Sequence, residues 1–235
     1  MVMILGVTGC TGFEHWCMIE WQRRNDANVF VEREEGSKSM VADARRWHMS
    51  FAEYMQFVQV NQDARYEYED GQVRALAGST SNHAEIAGNM YVALREQLGR
   101  GTPCRVYIAD KLVRVTEERC YIPDVVVSCD IADHGKAVTI LSPHLVVEVL
   151  SRSTELVDRT RKLAAYQACP SVQEIVLISW EVQFVEVFRR PTNEMEAWHY
   201  QQYHAAETIM LESLDIQIPV SVLYEGLSIP ADKDI

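Results

Sequence analysis

The feature that most constrains this chain is a carboxylate inside an apolar run. Residues 145–150 read LVVEVL, so Glu148 interrupts five aliphatic side chains. An apolar run of this length without polar alternation is typical of a strand that is buried on both faces. An ionised carboxylate in such a strand is destabilising unless a cation or a hydrogen-bond donor meets it. The run therefore predicts a partner for Glu148.

A second carboxylate opens another aliphatic strand upstream. Residues 121–127 read YIPDVVV, which places Asp124 directly before three valines. If the two strands are neighbours in a sheet, Asp124 and Glu148 converge, and a divalent cation held by oxygen ligands best relieves their repulsion. The pair predicts a metal-dependent hydrolase. For either acid alone, a structural partner of an arginine or a protonated core carboxyl is the alternative interpretation.

A helix with a lysine follows the Glu148 strand. The helical pattern continues until Pro170, and Asp158, Lys162 and Tyr166 lie at i, i+4 and i+8, so they share one face. The connection is short, so the helix folds back beside its own strand and this face can look at the carboxylates. A solvated Asp–Lys pair on the surface is the alternative.

Six blocks of sequence occur between Met49 and Leu227. They are RYEYEDGQ (65–72), SNHAEIAGN (81–89), CRVYIAD (104–110), PD (123–124), VEVLSRST (147–154) and DRTRK (158–162). Together, and in this order, the blocks resemble the bacterial Uma family, restriction-endonuclease-like proteins of the PD-(D/E)XK nuclease superfamily. The resemblance is more specific than any single motif.

The resemblance implies an α/β fold with a restriction-endonuclease-like mixed central sheet flanked by helices. It also implies hydrolysis of DNA phosphodiester bonds with Mg²⁺, or with Mn²⁺ in its place. Asp124 and Glu148 match the catalytic, metal-binding acids, and Lys162 matches the catalytic lysine. His83 and Glu67 match auxiliary positions. Two carboxylates and an amine suit this reaction because a bound cation and an ammonium stabilise the negative charge of the transition state.

Two positions depart from the usual pattern. The superfamily ordinarily places its lysine two residues after the acid, which here is Leu150, whereas the Uma family supplies the amine from the following helix. Gln72 stands where the family usually has Glu after Asp-Gly. Either an acid at this position is not essential for catalysis, or the activity of this family member is weakened.

Net charge is the main objection to a nuclease. The chain carries 22 basic and 34 acidic residues, for a net charge of −12, the wrong sign for phosphate binding. Residues 191–235 contribute eight acids against one base, but residues 152–162 carry four bases against two acids. We expect DNA to approach the second segment.

Length and composition indicate one domain. With 235 residues and 48% hydrophobic content, we expect an N-terminal extension of uncertain status (1–48), an endonuclease-like domain (49–228) and a short tail (229–235). No apolar run approaches the length of a membrane span. The six cysteines are scattered without a CxxC motif, so neither zinc nor a disulfide framework is indicated, and a cytoplasmic location is expected. A homodimer is left open.

The N-terminal segment offers competing interpretations. Residues 6–12 read GVTGCTG, a pattern also found at the start of dinucleotide-binding units, but nothing downstream supplies the remaining strands. A signal or lipoprotein peptide would need a positive n-region. Met40 or Met49 is a candidate start. The functional alternatives are a non-catalytic DNA-binding or regulatory protein that keeps the nuclease fold and, more distantly, a nucleotide-binding module.

Local patterns predict most of the elements. Ser50 and Glu53 form a capping-box pattern, and Asp70-Gly71 is a hairpin signal. We expect helices from Phe51 to Val60, from about Asn82 to Leu98 and over 220–224, and strands near 104–109, 112–115, 121–127, 144–150, 174–179, 182–189 and 198–203.

Overall fold

The computed structural model describes residues 48–108, 110–135, 138–152, 154–193 and 196–231. All of the expected N-terminal extension except His48 lies outside these residues, as do positions 232–235 of the expected tail. The described part forms one domain of the α/β class, so the expected fold class is confirmed. Among the described residues, no helix is both long enough and apolar enough to cross a bilayer.

The helices begin and end close to the expected positions. At the first helix, the Ser50 side chain accepts from the Glu53 N–H and Glu53 Oε2 accepts from the Ser50 N–H, which is the expected capping box. The helices are α1 (Phe51–Val60), α2 (Ser81–Leu98), α3 (Glu155–Val157), α4 (Leu163–Ala168) and α5 (Val220–Leu223). A π-helical segment, Asp158–Lys162, joins α3 to α4.

Thirteen strands are described. They are β1 (Tyr66–Glu69), β2 (Gln72–Ala75), β3 (Arg105–Ile108), β4 (Leu112–Thr116), β5 (Arg119–Tyr121), β6 (Val125–Ser128), β7 (Thr139–Ile140), β8 (Pro143–Val149), β9 (Glu174–Ile178), β10 (Phe184–Arg189), β11 (His199–His204), β12 (Thr208–Leu211) and β13 (Ile216–Pro219).

The central sheet is mixed. Its six strands have the order β11-β10-β9-β8-β6-β3, with β8 and β9 parallel and the other neighbours antiparallel. Parallel neighbours need a crossover connection, and the helical stretch 155–168 supplies it. The helical stretch that carries Lys162 therefore connects, along the chain, the two strands at the centre of the sheet.

The opposite faces of the central sheet belong to different hydrophobic clusters. Val125, Val147 and Val176 pack with α2 and with the C-terminal elements. Val126 and Val146 pack instead with the helical stretch 155–168. Because side chains alternate along a strand, Asp124 and Glu148 lie on this second face.

A second sheet holds the acidic hairpin. Its order is β2-β1-β5-β4-β7. The expected turn at Asp70-Gly71 is present, with φ of 50° and 83° at its two residues, as a two-residue hairpin of the Asp-Gly type requires. Met49 N–H donates to the Gly71 carbonyl, which ties the start of the domain to this turn.

Several features were not expected. The strand expected near 121–127 is divided into β5 and β6, which belong to different sheets, and the proline at 123 cannot donate a ladder hydrogen bond. The β12–β13 ladder was also missed. The prediction from the scattered cysteines that no disulfide is indicated was wrong, because Cys104 and Cys129 are joined. The β3–β6 register pairs Arg105 with Ser128 and so brings these two cysteines opposite each other, a relation that spacing along the chain does not reveal.

Candidate active site

The two predicted acids lie on adjacent strands. The antiparallel register pairs Val125 with Val147, so Asp124, one residue before β6, lies beside Glu148. Asp124 Oδ2 accepts a hydrogen bond of 2.7 Å from the Val149 N–H. The strand pairing that the sequence argument required is therefore present.

Lys162 lies among three carboxylates. Its Nζ is 2.8 Å from Glu67 Oε1, 3.1 Å from Glu148 Oε1 and 3.5 Å from Asp158 Oδ1. All four side chains are buried. The solvated Asp–Lys pair, which was the alternative for this helix face, is wrong because both Asp158 and Lys162 are turned into the protein.

Two tyrosines enclose the Lys162–Glu148 pair. The Tyr166 hydroxyl donates to Glu148 Oε1 at 2.6 Å, and Lys162 Nζ lies 5.7 Å from the centre of the Tyr121 ring. The two rings meet edge to face, with their centroids 5.8 Å apart. These aromatic side chains exclude water from the pair and so strengthen its electrostatic interactions.

The charges shift the pKa values of the cluster. Burial raises the pKa of Glu148 well above its usual range, and the charges of Asp158, Asp124 and Glu67 add to the shift although Lys162 opposes it. For Lys162, burial lowers the pKa, but attraction to Glu148, Glu67 and Asp158 outweighs burial and raises it well above the usual value. These contacts favour the charged form of the lysine.

His83 and Glu67 contact the cluster from two different elements. His83 lies in the first turn of α2, and its Nε2 is 2.8 Å from Asp124 Oδ1. Its Nδ1 is buried and has no hydrogen-bond partner. Glu67, on β1, accepts from the Ile122 N–H at 3.1 Å in addition to its contact with Lys162. All five predicted site residues thus lie in one connected group.

The carboxylate oxygens are of the type that a hard divalent cation binds. The carboxylates of Glu67, Glu148 and Asp158 contact a single ammonium, the Asp124 carboxylate lies beside the Glu148 strand, and Asp158 Oδ1 is buried without a hydrogen bond. Mg²⁺ binds oxygen ligands of this kind. Within the described ranges, no group of three or more His, Cys, Asp or Glu side chains has an arrangement that could hold a metal ion.

An open groove lies beside the cluster. Its volume is about 510 Å³ and it is lined by Glu69, Asp70, Gln72, Arg119, Thr160, Arg161 and Ala164. Arg119 pairs with Asp70 at 3.0 Å, and Arg161 pairs with Glu69 at 3.4 Å. The departure at Gln72 therefore lies in the groove wall.

Sequence reasoning missed part of the site. It placed Tyr166 on the correct helix face but did not expect its hydroxyl to bind Glu148, and it gave Tyr121 no role. Both contacts depend on how the helix packs across β8 and on the turn from β5 into β6, which no local pattern reports.

Comparisons with known proteins agree on one family. The Uma2 family model, described as "Putative restriction endonuclease", matches residues 51–223. An uncharacterized protein of Synechocystis sp., slr1290, is 32% identical over 181 residues, which cover 77% of this chain and 93% of that protein. A second, sll1609, is 26% identical over 146 residues, covering 60% of this chain and 81% of that protein.

A solved structure has the same fold. It is the crystal structure of "a putative nuclease belonging to DUF820" from Anabaena variabilis ATCC 29413, with a TM-score of 0.60 at 14% identity. The match covers 74% of this chain and 97% of the other chain.

Proposed function

This chain belongs to the Uma2 family, and from that premise we propose that it is a metal-dependent endonuclease that hydrolyses DNA phosphodiester bonds. The observation that carries the proposal is the buried cluster in which Lys162 contacts Glu148 beside the neighbouring carboxylate of Asp124. Neither the ammonium nor the second acid is needed to stabilise a sheet, and buried charges are costly to keep. Perturbed pKa values of this kind concentrate at functional sites.

Asp124 and Glu148 would hold the cation, Mg²⁺ or Mn²⁺. When bound, the cation neutralises charge on the phosphate and lowers the pKa of a water molecule. His83 restrains the Asp124 carboxylate through its Nε2, and Tyr166 restrains Glu148 through its hydroxyl. Both acids are thus oriented before substrate arrives, which lowers the cost of reaching the reactive geometry.

Lys162 acts as a fixed positive charge. The neighbouring carboxylates raise the pKa of its amine, which favours the charged form. Three N–H donors on one ammonium allow it to hold Glu148 while it also contacts the attacking water or a phosphate oxygen.

A non-catalytic DNA-binding protein with the same fold is the second candidate. Gln72 in place of the usual Glu favours it, as does the engagement of Glu148 Oε1 by both Lys162 and Tyr166. The two candidates differ in whether the carboxylates bind a cation.

A thermal melt separates them. We expect millimolar Mg²⁺ or Mn²⁺ to raise the melting temperature of the parental protein, because a ligand present at 100 times its Kd stabilises by about 2.7 kcal/mol. Asp124→Asn keeps the shape of the side chain and should abolish the shift. Equal shifts in both proteins would show that the cation binds elsewhere, and no shift in either would favour the non-catalytic candidate. NAD, which would bind if the chain were a nucleotide-binding module, should not change the melting temperature.

A further inference from the structure

The displaced lysine creates a positioning problem. In the ordinary superfamily pattern the acid and the lysine share one strand, so the sheet fixes both. In this chain Glu148 lies on β8, whereas Lys162 lies in the π-helical segment Asp158–Lys162. A small rotation or slide of that segment would move the ammonium relative to the carboxylate. Some contact must therefore fix the segment against the sheet.

Glu186 provides such a contact. The registers pair Glu148 with Leu177 and Leu177 with Glu186, so the three residues form one row across β8, β9 and β10. Glu148 and Glu186 thus face the same helical stretch from strands two places apart. Arg159, three residues before Lys162, places its Nη1 2.5 Å from Glu186 Oε2.

The Arg159–Glu186 pair is held from both sides. Glu186 Oε1 accepts from the Tyr200 hydroxyl at 2.8 Å, and Arg159 Nε donates to Glu155 Oε1 at 2.8 Å. The Glu186 side chain is 7% exposed and that of Arg159 is 34% exposed, so the pair is buried on the Glu186 side. Loss of Arg159 would leave the buried Glu186 carboxylate without its cation, which is costly.

The backbone between the two contacts is unusual. The segment is π-helical, and the Leu163 N–H donates to the carbonyls of Asp158 and Thr160. π-Helical turns are rare and frequently occur at functional sites. Three cations of the segment contact carboxylates on strands: Arg159 contacts Glu186, Arg161 contacts Glu69, and Lys162 contacts Glu148.

We propose that Glu186 is a positioning residue for the reaction: through Arg159 it sets the place of Lys162 over Glu148. Glu186 does not touch the proposed reacting atoms. The kinetic test of this role rests on the proposed nuclease function. The position of Lys162 relative to Glu148 can be measured without any activity.

A double-mutant cycle tests the proposal by comparing the parental protein, Glu186→Gln, Lys162→Met and the double variant. Glu186→Gln should lower kcat for plasmid DNA with Mg²⁺ by roughly ten- to hundredfold, the size expected for a small misplacement of a reactive group. KM should change less than about twofold, since no DNA contact is lost. When Lys162 is already Met, Glu186→Gln should have almost no further effect. Equal losses in both backgrounds would overturn the proposal.

A matched control removes general destabilisation from the result. Arg189 and the fully buried Glu174 form another ion pair, 2.8 Å apart, between β10, the strand of Glu186, and β9, on the opposite side of the sheet. Glu174→Gln should lower the melting temperature without changing kcat per folded molecule. A kcat loss equal to that of Glu186→Gln would assign both effects to stability and overturn the proposal.

A crystal structure of Glu186→Gln tests the position of Lys162 without an activity measurement. The proposal predicts that Lys162 Nζ moves out of contact with Glu148 Oε1, and an unchanged 3.1 Å contact would refute it. If the parental protein cleaves no DNA, the proposed function fails on that result, while the position of Lys162 in the variant still decides the role of Glu186.

Discussion

At the scale of single residues, Glu148 links burial to chemistry. Its carboxylate is 4% exposed, and its environment of desolvation and neighbouring acids raises its pKa well above 4.5. The folded protein therefore binds a proton at Glu148 more tightly than the unfolded chain does. By linkage, the stabilising contribution of this group is complete below its unfolded pKa and is lost as pH rises through its folded pKa.

Glu148→Gln should make this loss visible. In the metal-free protein, the free energy of unfolding of the variant minus that of the parental chain should increase with pH from about pH 5 to pH 8. The slope cannot exceed about 1.4 kcal/mol per pH unit for one proton. Urea unfolding at several pH values in EDTA measures it. A difference that stays constant, or that falls with pH, would contradict the raised pKa.

The residues that sequence alone could predict are those with a conflicting local environment. Glu148 and Asp124 were identifiable because a charge interrupts or opens an aliphatic strand, and Lys162 because it shares a helix face with Asp158. Their roles in catalysis stay a prediction. The contacts of Tyr121 and Glu186 were not predictable, because each joins elements whose packing is set only by the whole fold.

At the scale of elements, the main feature is that the amine of Lys162 is supplied by a helical segment and not by a strand. Lys162 belongs to the stretch between β8 and β9, whereas Leu150, directly after β8, is where the resemblance to the PD-(D/E)XK superfamily would place a lysine. Leu150 packs in the same cluster as Val146 and Tyr166, so its side chain lies on the Glu148 face of the sheet. A lysine at residue 150 could therefore bring its amine to Glu148 from the strand side.

Lys162→Met and its rescue by Leu150→Lys test this geometry. Lys162→Met should lower the cleavage rate by roughly two to four orders of magnitude and destabilise the fold by about 3–5 kcal/mol, because Glu67 and Glu148 lose their cation. The double variant should recover at least about tenfold in rate if only the position of the amine matters. Rates are taken per folded molecule, with the folded fraction measured by circular dichroism.

Two results would oppose this account of Lys162. Cleavage by Lys162→Met at the parental rate would show that the ammonium has no catalytic part. Failure of Leu150→Lys to recover any activity, in a protein that is folded, would show that the amine must come from the helix.

Local signals predicted elements well where the backbone itself imposes a residue type. The capping box at Ser50 and the Asp70-Gly71 turn are both present, since N-cap hydrogen bonds and positive φ values allow few alternatives. The π-helical segment and the Cys104–Cys129 disulfide were not predicted. The helix pattern does not distinguish an α turn from a π turn, and the disulfide depends on strand register.

At the scale of the whole molecule, the first described residues contact the acidic hairpin. His48 forms a bridge with Gln72, and Met49 donates to Gly71. All contacts of the proposed site lie after these residues. That residues 1–48 are an extension of uncertain status stays a prediction.

Deletion of residues 1–39 should leave the domain intact. We expect the truncated protein to unfold cooperatively, with a melting temperature close to that of the full chain, because the His48 and Met49 contacts are retained. Calorimetry of both proteins measures this. A truncated protein that melts without a cooperative transition would show that the N-terminal segment is part of the core.

Cleavage of supercoiled plasmid DNA tests the central claim most directly. The parental protein should convert the plasmid to nicked or linear forms with Mg²⁺ or Mn²⁺ and should stop when EDTA is added, whereas Asp124→Asn, purified identically and equally folded, should leave it supercoiled. The parental protein leaving the plasmid intact, or Asp124→Asn cutting at the parental rate, would contradict the assignment of the carboxylate pair as the centre of a metal-dependent nuclease.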